Sequence, residues 1–301
     1  MAIQREIWMS SIVEGLFADN SFLSKAFNAD EFVNMGKTVH IPNAGAASKS
    51  KKNRTEFPAT VKTRDDVDLT FNLDEFTTEP IRIAHADTVE LSYNKRESVL
   101  RQDKAALQED VANAILLSWL PAKEQCIRTS GEKVVAYTSA ATGVRKGLCK
   151  ADVLALMTKF NADNIPQEGR YLLLDAQMYS QLLNDLTNQE NQAFLSSANA
   201  QKGILGKLYS FNVMMRSTVG VYTDALTLKD TNAQGAATDC AAGLAWHENS
   251  VCRALGEVNA FENEKDPTYY GDIYSFLVRA GGRPMRKDVK GLVALVQAQT
   301  I

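Results

Sequence analysis

The chain has 301 residues, a formal net charge of −3, and 45% hydrophobic against 23% charged residues. That balance supports a real core in one large or two modest domains. It lacks the basic excess of a protein that grips nucleic-acid phosphates tightly, and no run of 18 apolar residues offers a membrane span. Arg5 and Glu6 interrupt the N-terminus where a signal peptide needs a continuous apolar stretch. Cys126, Cys149, Cys240 and Cys252 are widely spread, without C-x-x-C spacing, which predicts free thiols in a reducing compartment.

Along the chain, residues 5–35 form an apolar arm. Trp8, Ile12, Leu16 and Phe17 recur at helical spacing, as do Phe22, Leu23, Ala26 and Phe27. Such an arm needs a groove, its own or a neighbour's. From 37 to 90 the chain reads as extended. Val67, Leu69, Phe71 and Leu73 alternate strictly with polar residues, the mark of a strand with one buried face. Charge is segregated here: Lys49, Lys51, Lys52, Arg54, Lys62 and Arg64 precede Asp65, Asp66, Asp68, Asp74, Glu75 and Glu79. A solvated hairpin explains the pattern; so does a basic limb that meets carboxylates on another copy. Residues 95–120 predict a helix with the stripe Leu100, Leu107, Val111, Ala114, Ile115 and Trp119, stopped by Pro121.

A strand is expected at 133–137. A helix follows from Lys150 or Ala151 to about Asn161, with Val153, Leu154, Leu156, Met157 and Phe160 on its buried face. Arg170–Asp175 reads as a buried strand, and Ala176 to Leu186 as another helix. Residues 188–202 and 229–243 read as polar loops. Runs at 244–246, 251–255, 272–279 and 291–296 read as strands.

The search for chemistry finds little. His40, His85 and His247 have no partners at metal or nucleophile spacing. Cys240, His247 and Cys252 come nearest to a cluster but match no zinc pattern. No phosphate-binding loop, dinucleotide fingerprint or nucleophile elbow is present. Gly203-Ile204-Leu205-Gly206 has the spacing of a backbone-clamping loop, and a tight turn into a strand at 209–215 explains it equally well. No catalytic residue, metal or cofactor is expected.

Three stretches in fixed order carry a resemblance. They are Arg170–Asp175 followed by Tyr179-x-x-Leu182-Leu183; Gly203-x-x-Gly206-x-Leu208-x-x-Phe211-x-Val213 with Ser217; and Ala245-Trp246-His247, Val258-Asn259 and Tyr270-Gly271-Asp272. Their order and spacing resemble tailed-bacteriophage major capsid proteins of the Hong-Kong-97 type. The resemblance implies an α+β fold of that type, with an N-terminal arm (1–37), an extended β-hairpin loop (38–88) and a peripheral domain with the spine helix (89–149). An axial domain (150–255) and return strands to both domains (256–301) complete it. It implies a structural, non-enzymatic subunit of an icosahedral shell around double-stranded DNA, in the virion and assembled in the host cytoplasm. Its partners would be other copies in hexamers and pentamers, portal and scaffolding proteins, and packaged DNA through weak contacts, with no membrane. Scaffolding is then a separate protein, or residues 1–37 are already the mature arm. The loop lysines have no matching asparagine or activating acid, so the family's lysine–asparagine crosslink is not carried over. The expected inter-subunit contacts are Lys49, Lys51, Lys52, Arg54, Lys62, Arg64, Asp65, Asp66, Trp8 and Phe17.

Three alternatives stand beside it: an encapsulin-type compartment shell, an α/β enzyme using His247 or Cys252, and a nucleic-acid-binding module using Gly203–Lys207 and the basic limb.

Overall fold

In the computed structural model a long helix, α1 (Lys95–Trp119), crosses a strongly paired β-ribbon. The structure describes residues 9, 12, 16, 20–34, 37–41, 52–55, 57, 61, 68–84 and 95–299, with the side chains of 95–100 and 200 excepted. At 1.5 Å per residue α1 is about 37 Å long. Its stripe is where the spacing puts it: Leu107, Val111, Ile115 and Trp119 are buried, joined by Ala112 and Leu116, while Ala114 is half-buried. Burying five large apolar side chains on this face contributes on the order of 10 kcal/mol, an upper bound against a compact unfolded chain. Pro121 follows at once and has no N–H to continue the ladder.

The ribbon is formed by β15 (Val251–Asp266) and β16 (Gly271–Pro284), antiparallel, with irregularities between Leu255 and Val258 and between Asn263 and Asp266. Tyr274, Phe276, Val278 and Ala280 alternate along β16 and are buried in the same core as α1. On the far side of β16 lie β5 (Asp74–Thr77) and β6 (Ile81–Ala84). On the far side of β15, β1 (Phe27–Asn28) pairs only with Cys252 and Arg253. A small sheet of β2 (Val33–Asn34), β3 (Thr38–Ile41) and β4 (Leu69–Asn72) leads into this layer. The alternation read from the sequence holds: Leu69, Phe71 and Leu73 are covered, while Thr70 and Asn72 are exposed.

A seven-stranded mixed sheet makes the second layer. Its path is β11 (Gly206–Leu208), β12 (Phe211–Arg216), β10 (Arg170–Asp175), β14 (Cys240–His247), β17 (Leu292–Val296) and β7 (Cys126–Arg128), with β13 (Gly220–Tyr222) beside β14. One face packs against α2 (Lys150–Ala162) and α3 (Ala176–Asp185) through Val153, Leu156, Phe160, Met178 and Leu182. The other face, with Leu173, Met214, Leu244, Trp246 and Leu292, joins the α1 core. The last small sheet is β8 (Lys133–Val135), β9 (Val144–Lys146) and β18 (Ala298–Gln299).

Four expectations are corrected. Residues 188–196 are helical, α4 (Asn188–Ser196), because Thr187 and Glu190 form a reciprocal cap and Phe194 is buried beneath. Residues 240–243 are a central strand rather than loop. Leu154, on the expected face of α2, is exposed. The strand expected at 209–215 begins at Phe211, because Tyr209 and Ser210 form the positive-φ turn between β11 and β12.

Candidate assembly surfaces

The arm finds its groove on its own subunit over the described residues. Ile12, Leu16, Phe22 and Leu23 are buried with α1. Gln108 Nε2 donates to the Ile12 carbonyl at 2.7 Å, and Phe22 packs edge-on to Trp119 at 5.9 Å. The Trp246 indole N–H reaches the Lys25 carbonyl at 2.8 Å, so the arm also touches the second layer. Trp8 and Phe17, expected at a subunit contact, lie outside the described residues.

Between β3 and β4, which pair with Ile41 opposite Leu69, lies the segment expected to be the extended loop. Of the expected contact residues in it, Lys52 and Arg54 are described, and both are exposed. Phe57 and Val61 are apolar yet 78% and 94% exposed. Lys49, Lys51, Lys62, Arg64, Asp65 and Asp66 lie outside the described residues. Part of the acidic run is used within the chain: Arg279 bridges Glu75 at 2.7 Å and Glu257 at 3.1 Å.

The ribbon presents a second exposed surface. Beyond Leu255, whose N–H is taken by Asp30 at 2.7 Å, β15 has no strand on its outer side among the described residues. Along this open edge lie Glu257, which is paired with Arg279, and half-buried Glu262, Glu264 and Asp266, with Lys265 as the one base of that stretch of β15. Phe261 and the turn residues Tyr269 and Tyr270 are exposed beside it. β4 and the turn 267–270 lie toward opposite ends of one layer: Asp74 is level with Ala280 and β4 precedes it, toward the Pro284 end, while the turn 267–270 is at the other. From Pro284 to the middle of the acidic edge, level with Ile273, is eleven residues, about 35 Å.

Buried polar groups serve packing. Arg170 is fully buried and donates to the Pro166 and Ile165 carbonyls, Asn161 Oδ1 and Ser210 Oγ, with Phe160 and Phe211 on its faces. Asp175 caps α3 by accepting from Met178 N–H at 2.7 Å and takes the Tyr137 hydroxyl at 2.8 Å; burial raises its pKa. Asp239 accepts from the Gly235 and Ala236 amides and pairs with Lys229 at 2.7 Å. Burial pushes its carboxyl up, but Lys229 and the amides outweigh that and hold it below the ordinary value.

The cysteine–histidine grouping does not form. Cys240 and His247 are the two ends of β14, seven residues and about 23 Å apart. Cys252 donates to the Arg283 carbonyl at 3.3 Å, and burial pushes its thiol up to about 11. His40 is exposed on β3, and His85 lies outside the described residues. Gly203 has φ +66°, and a Cβ there would sit 2.2 Å from Ser21 Oγ, so glycine is required for the turn and the arm's passage over it.

No family model and no curated protein matches this chain. Solved structures do. A capsid of Ralstonia phage GP4 superposes with a TM-score of 0.62 at 12% identity, covering 92% of this chain and 88% of that one. The capsid of cyanophage P-SCSP1u gives 0.61 at 16% identity, covering 92% and 87%. The fold is the Hong-Kong-97-type capsid fold. A virus-like particle from Pyrococcus furiosus also matches, with a TM-score of 0.51 at 11% identity, over 97% of this chain and 99% of that one.

Proposed function

We propose that this chain is the major shell subunit of a tailed-phage-type icosahedral capsid enclosing double-stranded DNA. The observation that carries it is a Hong-Kong-97-type fold over about nine tenths of the chain. The proposal includes the division into arm, extended loop, peripheral domain, axial domain and return strands at the boundaries given above. It includes hexamers and pentamers of identical copies, portal and scaffolding partners, weak contacts to DNA, and assembly in the host cytoplasm. The role is structural and non-enzymatic.

The polarity of the molecule supports this reading. Residues 49–64 hold six bases and one acid, Glu56, and stand in the chain between β3 and β4, which lie toward one end of the layer. The open edge of β15 is acidic and lies toward the other. A head-to-tail contact between unlike ends makes rings when the rotation closes. Exposed ion pairs contribute only about 0–1 kcal/mol each, so their effect comes from many copies at once. Lys49, Lys51, Lys52, Arg54, Lys62 and Arg64 are thus the proposed basic side, with Asp65, Asp66, Trp8 and Phe17 at the same contact.

The test is charge reversal. Changing Lys49, Lys51 and Lys52 together to glutamate is expected to leave the circular dichroism of the subunit unchanged and to abolish closed particles in electron micrographs, most severely at low salt. Adding Glu262→Lys and Glu264→Lys to the same chain is expected to restore particles. Normal shells from the triple variant would refute the contact. A chain that forms no particles under any salt or scaffold condition, and is absent from particles of its source, would refute the shell reading.

The near-complete mutual coverage with the virus-like particle favours a second reading, a compartment shell with protein cargo. Nuclease-treated particles that contain protein and no protected DNA would select it.

A further inference from the structure

The two layers are joined by short connectors that meet at one point. Residues 248–250 link β14 to β15, and 285–291 link β16 to β17. They are bonded to each other and to both layers. His247 N–H donates to the Gly291 carbonyl, Met285 N–H to Ser250, Glu248 N–H to Gly169, and Phe27 N–H to Glu248. The arm, the axial sheet and the ribbon therefore share this joint.

His247 is at its centre and is 5% exposed. Its Nδ1 accepts from the Asn249 amide at 3.2 Å, and its carbonyl accepts from Ser250 N–H at 2.8 Å. An accepting Nδ1 fixes the neutral tautomer with the proton on Nε2. A second proton would go to Nδ1, where it faces the amide hydrogen it now binds. Directly across the strands is Arg170, the register partner of His247, so both side chains share one face of the sheet. That guanidinium is fully buried, and its hydrogen-bond partners are all uncharged. The charged groups acting on the imidazole are Arg170, which opposes protonation, and Glu248, which favours it; Glu168 contributes through its backbone.

We infer that His247 is an acid-sensitive pin at the joint between the two layers: neutral, it closes the 247–250 turn; protonated, it opens it. Burial, the largest influence, lowers the imidazole pKa from its ordinary 6.5. A depressed basic group stabilises the closed form above about pH 6.5 and loses that contribution as pH falls toward the folded value. This inference does not depend on the shell reading.

The experiment is hydrogen exchange by mass spectrometry on the full chain at pH 7.5 and pH 5, corrected for intrinsic rates. The wild type is expected to gain exchange at pH 5 in peptides covering 247–250 and 285–291, by up to about thirtyfold, the limit set by the distance from pH 5 to the ordinary imidazole value of 6.5. His247→Asn keeps an acceptor near the Nδ1 position and cannot be protonated, so the acid-induced gain is expected to vanish. Glu248→Gln removes the group that favours protonation of the closed form, so the folded value falls further and the acid-induced gain is expected to continue to lower pH, with its onset, set by the open form, unchanged. A wild type without a local gain would overturn the inference, whether or not the variants fold. So would a folded His247→Asn chain that keeps the gain.

Discussion

Trp119→Phe tests the point where helix, ribbon, N-terminal segment and seven-stranded sheet meet. Trp119 is completely buried, its indole N–H donates to the Cys252 carbonyl at 3.0 Å, and its ring packs against Phe22 and Trp246, each at 5.9 Å. Phenylalanine keeps most of the aromatic contact and loses the donor. The smaller ring leaves a gap of roughly 40 Å³, which costs about 1 kcal/mol at the usual cavity rate. The carbonyl left without its donor costs about 1–3 kcal/mol more. The expected loss is therefore about 2–4 kcal/mol, read from urea unfolding of dilute, unassembled subunits by circular dichroism. Gly282 supplies the internal check, since a Cβ there would lie 2.7 Å from the indole nitrogen and 2.9 Å from Ile115. Gly282→Ala should destabilise the native chain, and should do so less when Trp119→Phe is already present, giving a coupling of at least about 0.5 kcal/mol. A loss under about 0.5 kcal/mol for Trp119→Phe, with no coupling, would refute the placement of the helix on the ribbon.

Asp239→Asn breaks a pair in which the carboxylate is buried and Lys229 still reaches water; about 2–4 kcal/mol is expected, somewhat under the cost of a fully buried pair. Because the folded Asp239 pKa is depressed, its contribution is present above the ordinary 3.8 and lost as pH falls through the folded value; the variant's melting curve should lack that acid step. In native unassembled subunits at pH 7.5, half-exposed Cys149 should react with a thiol reagent first. Cys126 and Cys252, both pushed up to about 11 by burial, and buried Cys240 should be slow until denaturant is added. Fast native labelling of Cys252 would contradict its place in the core.

Legibility followed the apolar period. Leu107, Val111, Ile115 and Trp119 define α1 in sequence as in structure, and Leu69, Phe71 and Leu73 define the covered face of β4 and the residue after it. The misses have physical reasons. In α4 only Phe194 is deeply buried, so no stripe exists; the signal was the Thr187-x-x-Glu190 cap. Residues 240–243 look like loop because Cys-Ala-Ala-Gly is small. They are small because neighbours press in: a Cβ on Gly243 would lie 2.9 Å from Leu174. The ribbon was read as separate short strands because its irregularities at 255–258 and 263–266 break the alternation. Of the proposed contact, the basic side rests on the charge split in the sequence, whereas the open acidic edge depends on strand order, which no local pattern contains. The joint at His247 was equally hidden, since Arg170 is 77 residues away in the chain.

The aromatic contact between the layers also has an optical consequence. The chain holds three tryptophans, and two of them, Trp119 on α1 and Trp246 on β14 of the seven-stranded sheet, lie 5.9 Å apart, with Tyr171 stacked on Trp246 at 5.7 Å. Indoles this close couple their electronic transitions. The ultraviolet dichroism of the native chain should therefore carry a signature belonging to the pair and to neither ring alone. Any sliding of the helix over the seven-stranded sheet would change that signal without a dye or label, so the layers carry their own spectroscopic ruler.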